Sequence, residues 1–136
     1  MAEPVPGPDL AVLATVALGG VLGSLGRYAV GAALPHQPST FPWATLTVNV
    51  TGAFAMGLLV AHLLGRPGAH RLTGPFLGVG VLGGWTTFSA LAVEVVQLGD
   101  SDHVQVALAY VAATFLAGTL AVGAGSRLGR RARLGR

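Results

Sequence analysis

The residues with chemical potential in this chain lie inside apolar stretches. The densest group is Gly83-Gly84-Trp85-Thr86-Thr87-Phe88-Ser89, where two helix-weakening glycines stand beside three hydroxyls, with Glu94 soon after. The run from Leu72 to Val93 carries no charge and is long enough to cross a bilayer. Lipid offers no water to an unpaired backbone group. Polar residues and a helix break at mid-membrane depth therefore survive only where they are buried in protein or line a hydrated path. This segment is predicted to break near its middle and to hold an ion.

Other chemistries find little support. The chain has no cysteine, which excludes disulfides and thiolate metal sites, and His36, His62, His70 and His103 are scattered rather than paired at ligand spacing. No nucleophile stands beside a base, so an enzyme is not expected. Gly78-Val79-Gly80-Val81-Leu82-Gly83 fits G-x-G-x-x-G but lacks the preceding strand and the following acidic residue of a dinucleotide site. Asn49-Val50-Thr51 fits a glycosylation sequon but lies within an apolar span.

The elements that must position the polar groups are four apolar spans, at about 10–34, 41–64, 74–98 and 104–128, followed by a basic tail at 129–136. A helix of roughly 24 residues at ~1.5 Å rise covers ~36 Å, enough for a ~30 Å hydrocarbon core. The chain has 136 residues, 52% of them hydrophobic and 10% charged, so one all-α membrane domain accounts for it. The links carry turn chemistry: Pro35-His36-Gln37-Pro38-Ser39, Gly65-Arg66-Pro67-Gly68 and Gly99-Asp100-Ser101-Asp102. Residues 1–9 hold Glu3 and Asp9 and no basic residue, unlike a signal peptide, so the first span reads as retained.

Four spans put both termini and the second link on one side. That side holds Arg66, Arg71, Arg127, Arg130, Arg131, Arg133 and Arg136, seven of the eight basic residues, leaving Arg27 for the other side. The positive-inside rule then predicts cytoplasmic termini and a single orientation. The arginines are not interleaved with aromatics, so the pI near 10.7 speaks for membrane lipid rather than nucleic acid. Gly19 to Gly23 and Gly80 to Gly84 form G-x-x-x-G steps that let helix backbones approach closely.

Four patterns in order carry a resemblance. They are Gly19-Gly20-Val21-Leu22-Gly23-Ser24-Leu25-Gly26-Arg27-Tyr28, Thr45-Leu46-Thr47-Val48-Asn49-Val50-Thr51-Gly52, the Gly83–Ser89 run, and Tyr110 with Thr114 one turn on. From about Leu10 to Leu128 the chain resembles the small bacterial fluoride channels of the Fluc/CrcB family. The resemblance implies an antiparallel dimer of four-helix subunits that lets fluoride leave the cytoplasm passively, with a structural sodium ion at its centre. It implies that the carbonyls of Gly83 and Thr86 hold that sodium and that Asn49 is a pore donor. It also implies that the Phe88 ring edge meets fluoride, with Thr87 and Ser89 nearby and Tyr110 and Thr114 starting a polar track. Arg27 is either a vestibule cation or a helix cap that snorkels to the interface.

The residue chemistry agrees with this. A dehydrated small anion needs donors that replace its water without trapping it, and a side-chain amide and hydroxyls supply them neutrally. An aromatic edge carries partial positive charge. Freed carbonyls suit a hard cation. The chain also departs from the family pattern. Leu91 stands where a second Phe is usual, Gly118 interrupts the polar track with only Thr119 nearby, and the arginine bias is strong. These departures raise a heterodimer with an oppositely inserted paralogue, in which one pore need not conduct, beside the homodimer. A small four-helix exporter is a rival, but it would want a carboxylate in the first span, which has none. A scaffold would explain the glycines but not Asn49.

Overall fold

The computed structural model describes residues 9–63 and 70–134, with the side chain of Arg133 excepted. Residues 1–8, the link at Gly65-Arg66-Pro67-Gly68, and residues 135–136 lie outside the described residues. Helix α1 spans Leu10–Ala33, α2 Trp43–Leu63, α4 Phe88–Asp100 and α5 Val104–Leu134. Between α2 and α4, a π-helical segment, Pro75–Leu82, runs into the short α3, Gly83–Trp85. Among the described residues, four stretches are long and apolar enough to cross a membrane, the third being Pro75–Asp100 as a unit. The chain is an all-α, multi-pass membrane protein.

Local chemistry sets the ends. Asp9 caps α1 by accepting from the Ala11 amide at 2.9 Å. The helix stops at Leu34, ahead of Pro35, which disfavours helical backbone in the residue before it. Thr40 folds the first link by accepting from the Gln37 amide at 3.1 Å. Helix α5 passes the expected end at Leu128 and continues through the basic residues to Leu134. Gly129 explains why. A Cβ there would sit 2.8 Å from the Leu58 carbonyl oxygen, so this glycine brings α5 against α2 rather than ending the helix.

Packing follows small residues. Helix α2 lies chiefly along α5, while α1 lies along the π-helical segment and α3. A Cβ on Gly23 would stand 2.1 Å from the Val81 carbonyl oxygen, and one on Gly125 2.1 Å from that of Phe54. Neither position admits a side chain without parting its helices. Leu18, Leu22, Phe115, Leu116 and Leu120 face outward, as a lipid solvent permits. The buried apolar cluster, Leu91, Leu98, Ala107 and Tyr110, joins α4 to α5.

Candidate functional site

The third span loses its helical backbone at Thr86 and Thr87, both extended, with φ/ψ of −81/158° and −151/125°. Gly83 is itself helical at −65/−35°. The interruption thus falls after the two glycines that drew attention to it. Gly84 serves packing: a Cβ there would meet the Gly20 carbonyl oxygen at 2.5 Å.

Asn49 of α2 bridges the gap. Its Nδ2 donates to the Thr87 carbonyl at 2.9 Å, and its Oδ1 accepts from the Thr87 amide at 2.8 Å. A primary amide has two N–H donors, so one remains after this pairing. The Thr87 amide, which a continuous helix would turn toward the Gly83 carbonyl, is thereby diverted. Thr87 also caps α4 by accepting from the Ala90 amide at 3.1 Å. That amide would otherwise serve the Thr86 carbonyl. Both carbonyls named from sequence lose their helical donors for these two reasons.

Arg27 takes up one of them, donating from Nη1 to the Thr86 carbonyl at 3.2 Å. It caps a helix C-terminus, but that of α3 rather than its own. The Gly83 carbonyl fits a hard cation better than the Thr86 carbonyl, which a guanidinium already occupies. Thr86 Oγ1 bonds back to the Leu82 carbonyl at 2.9 Å, an ordinary helical use of a threonine. Trp85 Nε1 donates to Thr51 Oγ1 at 3.0 Å and ties α3 to α2.

Two adjoining cavities flank the interruption. One of about 380 Å³ is lined by Asn49, Gly83, Thr86, Thr87, Phe88, Leu91, Thr114 and Phe115, among others. Phe88 is 75% exposed. The buried hydroxyl of Thr114 has no hydrogen-bond partner. The second cavity, of about 410 Å³, is lined by Arg27, Thr45, Val48, Thr87 and Ser89 with smaller residues. Thr87 is common to both, and its Oγ1 lies 3.2 Å from Ser89 Oγ. The structure therefore gathers Asn49, Thr87, Phe88 and Thr114 at one cavity, and Arg27 and Ser89 at its neighbour.

Tyr110 joins neither wall. It is fully buried and donates to Glu94 Oε2 at 2.6 Å, while Thr45 donates to Glu94 Oε1 at 2.6 Å. Glu94 is 9% exposed. In the sequence Glu94 stood out only as a charge soon after the Gly83–Ser89 run. A usable signal was present: a lone carboxylate in an apolar span is expected to find partners inside the protein.

Together, the fold and site define a small polytopic membrane protein whose neutral donors line cavities beside an interrupted third span. Comparison with known proteins agrees. The family model for CrcB-like protein, Camphor Resistance (CrcB), matches residues 14–126, and the chain belongs to that family. It is 45% identical over 126 residues to a Nocardia farcinica protein named fluoride-specific ion channel FluC 2, covering 93% of this chain and 90% of that one. Two Streptomyces avermitilis proteins, named fluoride-specific ion channels FluC 2 and FluC 3, are 48% and 45% identical over 76% and 89% of this chain. The matches cover 65% and 59% of those longer relatives.

Proposed function

We propose that the chain forms a channel for passive, selective efflux of fluoride across the bacterial inner membrane, lowering fluoride in the cytoplasm. One observation carries the reading: the cavity beside Asn49 offers an uncommitted amide N–H, an unpartnered Thr114 hydroxyl and the exposed Phe88 ring, with no fixed charge on its wall. Such a surface suits a small anion that must exchange its water for donors and then leave again. The names of the relatives, and the identity to them, support fluoride as that anion.

The working unit in this reading is an antiparallel pair. The Gly83 carbonyl, and that of Thr86 if Arg27 withdraws, would hold a structural sodium ion between the subunits. Sodium would supply positive charge near the anion path and would brace the interrupted backbone. Seven of eight arginines on one side favour a single orientation, with cytoplasmic termini. Antiparallel pairing then calls for an oppositely inserted paralogue. Numbered relatives in one organism are consistent with this, as is Leu91, which offers no ring beside Phe88.

Fluoride efflux from liposomes, read with a fluoride electrode, tests the proposal. The chain, alone or with its paralogue, should release fluoride and retain chloride, and Phe88→Ile should slow release roughly 5-fold through loss of the ring edge. Equal release from protein-free vesicles ends the reading. Full activity from the single chain, with cysteine tags labelled from both faces, ends the paralogue requirement.

A further inference from the structure

Glu94 is buried beside the second cavity and takes no part in the wall of the Asn49 cavity. Both carboxylate oxygens accept hydrogen bonds, one from Thr45 on α2 and one from Tyr110 on α5. That pattern suits the ionised form, which only accepts. A third group faces it from outside the helices. His36, in the link between α1 and α2, sets Nε2 3.7 Å from Glu94 Oε1, with its own side chain 25% exposed. Among the described residues, His36 and Tyr110 are the titratable groups in contact with Glu94. Arg27, the cation of α1, is engaged at the Thr86 carbonyl instead. His103, at the same end of the molecule, is engaged at the Ser101 carbonyl.

The charge of this carboxylate bears on the cavity through Thr45, which both bonds Glu94 and lines the cavity wall with Arg27, Thr87 and Ser89. A carboxylate without a counter-charge behind that wall repels an anion. Histidine is the side chain whose charge changes between about pH 5 and 8. A proton can reach it from water on the exposed side of its ring, and the resulting imidazolium stands next to the Glu94 carboxyl.

We infer that His36 is a positioning residue that admits protons as a control on anion entry: protonated, it offsets Glu94 and opens the second cavity to fluoride. The inference rests on the channel reading and adds to it a dependence on the acidity of the water at the mouth. It acts where protection would be needed, since fluoride crosses membranes as neutral HF in acid surroundings.

The test is electrical, because HF carries no current. Planar-bilayer currents in fluoride are recorded with both baths taken from about pH 7.5 to about 5.5, using whichever assembly conducts in the efflux assay. The wild type should gain about threefold or more in conductance, the effect of adding a charge at this distance in a partly hydrated site. H36Q should stay near the wild-type level of the neutral bath at both values. H36R, which keeps a permanent charge, should stay near the acid level at both. An acid rise retained in H36Q, or H36R behaving like H36Q, overturns the inference while leaving the channel standing. Absence of fluoride current at either pH overturns the channel reading and this inference with it.

Discussion

Asn49 and Glu94 are both polar groups held inside apolar spans, yet their surroundings close in opposite ways. Glu94 meets a hydroxyl at each oxygen. Asn49 pairs with both backbone groups of Thr87 and still has an N–H to spare, at a cavity where Thr114 is also short of a partner. Glu94 is buried and Asn49 half-buried, but burial is the smaller difference. What separates them is the surplus of donors: a satisfied polar group rigidifies a fold, whereas an unsatisfied one in lipid is a cost that only a ligand or water repays.

The sharpest way to break this contrast is Asn49→Asp. The carboxylate cannot donate to the Thr87 carbonyl and brings a like charge to the anion, so fluoride efflux should fall roughly 100-fold, the scale of one charge-assisted hydrogen bond. An efflux rate within a few-fold of wild type would dismiss the amide as a donor. Next comes Glu94→Ala, which strands the hydroxyls of Thr45 and Tyr110. Detergent unfolding should then show a loss of about 2 kcal/mol or more. Unchanged stability would mean that water fills the gap at no cost.

Thr114→Val sharpens the comparison from the other side. Replacing an unpartnered hydroxyl with a methyl of the same shape should raise stability by about 1 kcal/mol while slowing efflux a few-fold. Both changes are needed, since a stabilised protein with normal efflux would make Thr114 a packing residue. Asp9→Asn should matter least. Arg71, 2.5 Å from Asp9, holds its carboxyl below the usual aspartate range. The folded state therefore favours the ionised form, so the pair stabilises above that range and fades as pH falls through it. The pair is exposed, so wild type should exceed D9N only slightly in unfolding midpoint at neutral pH, and the two should converge below about pH 4.

Much of the fold was legible because lipid makes helices long and apolar. The starts at Leu10 and Val104 are where the sequence reading put them. The end of α5 was missed because Gly129 and a run of arginines look like a stop, when the glycine is a contact with α2. The sequence reading put the interruption near the middle of the third span, within the Gly83–Ser89 run, because glycine weakens helices locally. Its actual site at Thr86 and Thr87 depends on a partner 38 residues away, and no local pattern encodes that. The surroundings of Glu94 were hidden for a similar reason. Its depth in the membrane was readable, but its neighbours Thr45, Tyr110 and His36 come from three other parts of the chain.

The double bond from Asn49 to Thr87 has a consequence for how this protein can vary. A primary amide reproduces the face of a peptide group, so the second span stitches the third as an adjacent strand would. In the proposed channel, seam and donor would be the same side chain, so a replacement should alter shape and permeation at once. Residue 49 is then expected to tolerate few replacements. Tuning of flow between related proteins must be sought at positions free of this double duty, on the α5 side of the passage.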